Sequence, residues 1–132
     1  MNFVSLEDLP KKIPIFPLTG AVLFPKTQLP LNIFEPRYVQ MLNAALATPH
    51  KLIGMIQPIA GSDNSLKKVG CVGRVTSYNE TDDHRYLITL NGIIRFEIEN
   101  ELDTTTQYRQ LEVNYENFIT DLKSEDVTNV DR

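Results

Sequence analysis

The chain holds one cysteine, Cys71, among its 132 residues. No intramolecular disulfide can form, and no four-cysteine zinc site can be built. No stretch approaches the ~18 consecutive apolar residues that a membrane-crossing helix needs. Met1 to Asp8 has neither a basic start nor a long apolar run, so it does not read as a signal peptide, and the cytoplasm is the default compartment. The six glycines are scattered and none leads a Gly-x-x-x-x-Gly-Lys-Ser/Thr phosphate loop. Excess positive charge is also missing. Thirteen basic and seventeen acidic residues leave a net charge of −4, which disfavours nucleic acid, whose backbone selects basic surfaces.

What is present is ordinary globular composition, with 42% hydrophobic and 23% charged residues, enough for one domain with its own core. Charge is uneven: residues 1–58 carry a net +2 and residues 59–132 a net −6. All eight prolines fall in the first 58 residues. Proline cannot donate to a strand ladder, so this region reads as short strands and turns with one helix.

Ile13 to Leu18 reads as a strand, Thr19-Gly20 as a turn and Leu29 to Glu35 as a second strand. Pro36 suits the first position of a helix over 36–47, and Tyr38, Met41, Leu42, Ala45 and Leu46 share one apolar face. Arg37, Gln40, Asn43 and Ala44 lie opposite. Thr48-Pro49 stops the helix. Leu52 to Gln57 reads as a central strand, and Ala60 to Lys68 as a loop. Strands follow over Val69–Tyr78 and Arg85–Leu90, joined by a hairpin loop at Asn79–His84. Asn91-Gly92 signals a turn or bulge. Ile94, Phe96 and Ile98 alternate in a half-buried strand. Tyr108 to Phe118 gives the last, with Leu111, Val113 and Tyr115 on one face and a phase change that predicts a bulge near Arg109.

Two blocks of this sequence resemble the N-terminal, substrate-binding domain of ATP-dependent Lon proteases. That domain also occurs in short stand-alone bacterial proteins and in cereblon. The first block is Ile15-Phe16-Pro17-Leu18, Val22-Leu23-Phe24-Pro25 and Leu29-Pro30-Leu31-Asn32-Ile33-Phe34-Glu35-Pro36-Arg37-Tyr38. The second is Gly70-Cys71-Val72-Gly73-Arg74-Val75, Asp83-His84-Arg85-Tyr86 and Asn91-Gly92-Ile93-Ile94-Arg95-Phe96. Lys26 and His84 stand where the family often has glycine, and Asn32 where it often has histidine. The resemblance implies a mainly β (α+β) fold, a PUA-like pseudo-barrel of about six strands with one α-helix. It implies a β-subdomain over 1–120, then at 121–132 a polar tail or the start of a truncated helical subdomain. Thr128 and Asp131 have the spacing of a helix-start pair.

Most residues of these blocks have structural readings. Pro17, Pro25 and Pro30 fix turns and strand edges. Glu35 is expected to cap the helix, and Arg37 to pair with Glu35 or a later acid. Phe34, Tyr38, Ile94 and Phe96 are expected in the core. Cys71 reads as a small core hydrophobe, and neither His50 nor His84 can be placed beside it as a base. Asp82-Asp83-His84 reads as a solvated turn in preference to a metal site. No cofactor, metal or catalytic residue is expected.

The resemblance therefore implies a non-catalytic module that binds unfolded or degron-bearing polypeptides, with a Lon-type ATPase as a further partner. The physical basis is strand addition at a sheet edge and apolar pockets for side chains. The candidate contacts are Phe24 and Pro25 in the first loop and Arg37 and Gln40 at the helix start. The competing reading is RNA binding, as in other PUA-like barrels, which the acidic second half opposes. No membrane association is expected.

Overall fold

Ile13 and Ile15 alternate with Lys12 and Pro14, and that period of two makes the first strand of a six-stranded mixed sheet. The computed structural model describes residues 8–61 and 65–122. Its elements are β1 (Lys12–Pro17), β2 (Gln28–Ile33), α1 (Pro36–Leu46), β3 (Leu52–Ile56), β4 (Val69–Glu80), β5 (Tyr86–Glu101), β6 (Gln110–Asn114) and a 3-10 segment (Glu116–Leu122). The strand order is β2-β5-β4-β3-β1-β6, and β5 also pairs with β6. That extra pairing closes β1, β3, β4, β5 and β6 into a ring and leaves β2 outside it, on the first half of β5. The expected pseudo-barrel with one α-helix is the observed architecture. β1 and β3 are parallel, and the other pairs antiparallel. β3 is buried along its whole length because Leu52 and Ile56 face the apolar layer inside the ring and Ile53 and Met55 the layer under α1, which explains its unbroken apolar sequence.

Two apolar layers result. Inside the ring lie Ile13, Ile15, Val72, Ile94, Phe96, Leu111 and Val113. Outside it, Tyr38, Met41, Leu42 and Ala45 of α1 pack with Ile33 of β2 on Ile53, Met55, Cys71 and Leu90. The ring is narrow, and glycine makes the room. A Cβ on Gly54 would lie 2.8 Å from Ile13 Cδ1. One on Gly70 would lie 2.5 Å from the Met55 carbonyl oxygen and 2.6 Å from Phe96 Cζ.

Several expectations need correction. Of the turn or bulge expected at Asn91-Gly92, the bulge is what forms: β5 runs through it, and the pairing with β4 skips Ile93. The last strand stops at Asn114 and gives way to the 3-10 segment. The bulge expected near Arg109 is not there: the β5–β6 irregularity is at Glu99 of β5, opposite Glu112 and Val113. Phe34 is 57% exposed, because the alternation that buries Ile33 at 1% turns its neighbour outward; the Arg85 guanidinium sits 5.1 Å from its ring centroid. Glu35 occupies the N-cap position, but its carboxylate makes no capping bond and instead accepts from Arg37 Nε at 3.2 Å. Residues 62–64 of the loop and the Thr128–Asp131 pair lie outside the described residues.

Lys26 and His84 have left-handed backbones, with φ of 65° and 64°, a conformation that glycine adopts without strain. Pro30 lacks an N–H, so it cannot belong to a hydrogen-bonded pair with β5. The Gly92 N–H bond to Thr27 O (2.8 Å) sets the same parity, which aims the backbone of Gln28, Pro30 and Asn32 at the open edge.

Gly70→Ala is expected to cost about 2 kcal/mol and Gly54→Ala clearly less, because a flexible side chain can give way where a backbone carbonyl cannot. Urea midpoints of the two variants check this. His84→Gly is expected to raise stability by about 0.5–1 kcal/mol, since relief of left-handed strain exceeds the added unfolded-state entropy. Thermal unfolding measures it.

Candidate functional site

Leu23 and Phe24 lie in the loop between β1 and β2, and glycines shape their seat. Leu23 is buried against Gly73, where a Cβ would lie 2.7 Å from Leu23 Cδ2. The Phe24 carbonyl lies over the β5 bulge, where a Cβ on Gly92 would come within 2.0 Å of its oxygen. The Lys26 N–H donates to Gly92 O at 2.9 Å. The Thr27 hydroxyl donates to Phe24 O at 2.8 Å and accepts from the Phe24 N–H at 3.3 Å. The backbone is thus held at both ends while the Phe24 ring stays 59% exposed.

This ring borders a concavity of about 150 Å³ between the loop and the β3–β4 edge. Val22, Met55, Val69, Cys71 and Arg95 line it too, and Val22 and Val69 are exposed at its rim. An apolar hollow with fixed walls and an exposed aromatic can accept an apolar side chain. Arg95 is the polar boundary. Its Nε and Nη2 donate to the Asp121 carboxylate at 3.0 and 2.9 Å, and its own backbone N–H adds a bond at 3.1 Å. The guanidinium also lies 4.7 Å over the Phe118 ring. Burial alone would raise the Asp121 carboxyl, but the bonds from Arg95 outweigh it and hold the group below the usual carboxylate range. No sequence signal joined these two residues, which are 26 positions apart.

The structure separates the sequence-predicted contacts. Phe24 borders the hollow just described, with half-buried Pro25 beside it. Arg37 lines a different groove, between the β2 edge and the α1 start, together with Phe34 and Tyr38. Its guanidinium sits 4.7 Å from the Tyr38 ring centroid. Gln40 is exposed on the same helix.

Burial pushes the Cys71 thiol up to about 12, and the Asp121 charge adds to this, so the group stays protonated and unreactive at neutral pH. His84 faces Glu80 at 3.6 Å, while Asp83 bonds to Thr81 and pairs with Arg85 at 3.1 Å. The three adjacent hairpin residues therefore do not converge on one point.

The chain matches the family described as ATP-dependent protease La (LON) substrate-binding domain over residues 12–131. It belongs to that family. The Lon protease of Parabacteroides distasonis is 33% identical over 111 residues, which are 79% of this chain and 13% of that protein. Lon protease 2 of Sorangium cellulosum is 31% identical over 93 residues, 67% of this chain and 12% of that protein. The chain therefore spans only about an eighth of the length of these relatives. Among solved structures, the fold is similar to a Lon N-terminal domain protein from Xanthomonas campestris, with a TM-score of 0.67 and 23% identity, covering 79% of this chain and 59% of that one. It is also similar to the N-terminal domain of Mycobacterium avium complex Lon protease, with a TM-score of 0.66 and 13% identity, covering 80% and 54%. Among the described residues, no helix of this Lon-family domain is long and apolar enough to cross a membrane.

Because the Asp121 pKa is depressed in the folded state, its contribution to stability is complete above about pH 4, the unfolded carboxyl value, and is lost as pH falls through the folded value. Asp121→Asn is therefore expected to lower stability at pH 7 by about 1 kcal/mol and to flatten the acid limb below pH ~4. Urea unfolding from pH 7 to pH 2.5 checks both.

Proposed function

We propose that this domain is a non-catalytic polypeptide-recognition module, with Phe24 and Pro25 at its contact face. The supporting observation is the Phe24 ring, exposed although its backbone is fixed by Gly92 and Thr27 at the rim of an apolar hollow. A core-forming role would bury that ring. A prepaid backbone lowers the ordering cost of binding, and an aromatic supplies a large contact area. An unfolded chain offers the matching chemistry, namely apolar side chains that a folded protein hides. Arg37 and Gln40, at the α1 start, would offer a separate, second contact, with Arg37 in the groove by the β2 edge. Membership of the Lon substrate-binding family supports this reading and makes a Lon-type ATPase the natural partner.

The test is titration of the full chain with a fluorescent unfolded polypeptide, with a structured RNA in parallel. Saturable polypeptide binding that survives moderate salt is expected. Phe24→Asp should weaken it at least about tenfold while leaving the urea midpoint unchanged, because the ring is mostly exposed. Arg37→Glu should weaken it less. RNA binding that falls steeply with salt, without polypeptide binding, would overturn the proposal. So would polypeptide binding indifferent to Phe24→Asp.

A further inference from the structure

Arg95 stands at the rim of the Phe24 hollow with only part of its hydrogen-bonding capacity in use. The β4–β5 register sets it directly opposite Cys71, so the two side chains share the outer face of the ring, and both line the hollow. Phe96, the next residue, points the other way and fills the ring.

A guanidinium carries five N–H donors in one plane. In Arg95, Nε and Nη2 donate side-on to the Asp121 carboxylate at 3.0 and 2.9 Å. Nη1 makes no hydrogen bond among the described residues, so the edge that it shares with the second Nη2 proton is open. The group is fixed all the same. Asp121 is tied to the Arg95 backbone N–H at 3.1 Å, and the guanidinium lies 4.7 Å over the Phe118 ring. Neither Asp121 nor Phe118 lines the hollow, so both hold the guanidinium from its far side. A donor clamped in this way loses little freedom when a ligand arrives. The Arg95–Asp121 pair is also neutral as a unit. A second carboxylate at the open edge would stand close to Asp121 and be repelled, whereas an uncharged oxygen would not. Lys26, a further cation of this region, is solvent-exposed, and its charge is screened there.

We propose that Arg95 reads a main-chain carbonyl of the bound polypeptide: one apolar side chain enters the hollow, and the carbonyl oxygen of the same residue accepts from Nη1 at the rim. This rests on the polypeptide-recognition function proposed above and adds a polar contact to its apolar one. The hollow measures about 150 Å³, and a cavity of about that volume holds one benzene, so a leucine or phenylalanine side chain is the matching size. An apolar floor alone accepts a side chain with its backbone running in any direction. A fixed donor at the rim selects one. Every residue offers a carbonyl, so the contact adds affinity without narrowing the sequences that can bind. The class of ligand is therefore an internal segment of an unfolded chain, in preference to a C-terminal carboxylate or an acidic side chain.

Three probes test this on the isotope-labelled full chain, with two-dimensional NMR titration reading affinities down to the millimolar range. The first is acetyl-Gly-Ser-Gly-leucinamide. The second replaces leucinamide by isopentylamide, which keeps the side chain and drops the carbonyl. The third is the leucine free acid. The leucinamide probe should bind saturably, at least about fivefold more tightly than the isopentylamide and more tightly than the acid. In Arg95→Met the leucinamide should lose about that factor and the isopentylamide less than about twofold, so the difference between them disappears. An arginine with a merely structural role would weaken both alike. Arg95→Met strips Asp121 of its partner, so Arg95→Met with Asp121→Asn is measured too and should give the same result. Equal binding of leucinamide and isopentylamide to the unaltered chain, tighter binding of the acid, or equal weakening of both neutral probes in Arg95→Met would overturn the proposal. So would failure of all three probes to bind; if an unfolded polypeptide still binds in a Phe24-dependent way, the recognition function survives that failure, and if it does not, both fall.

Discussion

β5 is the strand on which the rest of the domain depends. It pairs with β2 and β4 along its first half and with β4 and β6 along its second, so it closes the ring and carries the strand outside it. One continuous strand can do both only if it bends. The bulge at Gly92-Ile93 supplies that bend, and the missing side chain at Gly92 lets the Phe24 carbonyl settle on it. Barrel closure and presentation of the exposed aromatic therefore share one structural cause. A fault at Gly92 would disturb both.

The inner core imposes the second constraint. Phe96 fills the ring, and Gly54 and Gly70 are small because that ring is large. Close packing of this kind leaves little room for compensating shifts. Polar chemistry is accordingly pushed to the outside, as in the Arg95–Asp121 pair that joins β5 to the 3-10 segment beside the Phe24 hollow.

Much of this was legible in the residues themselves. The α1 face over Tyr38, Met41, Leu42 and Ala45 follows from its spacing, and Pro36 marks its start. The alternation Leu111, Val113, Tyr115 places the β6 face correctly. Ring closure came through resemblance, because strand order is a long-range property that no local pattern encodes. At Asn91-Gly92 the residues allow a turn or a bulge, and pairing on both sides of β5 decides for the bulge. Phe34 looks like core by composition, but one-residue parity decides otherwise. Of the proposed contacts, Phe24 was legible as a loop aromatic. The Arg95–Asp121 bridge was not, since it depends on packing between β5 and the 3-10 segment.

A closed ring has no edges, but β2 lies outside it and restores one. Such an edge is a template on which a second copy could lay a strand and begin a fibre. Pro30 faces that side, flanked by Gln28 and Asn32, so an incoming strand would find its central donor absent. The proline that helps to set this strand's path also guards the domain against stacking on itself. The one strand left outside the ring is thus the one whose free side is least able to extend the sheet.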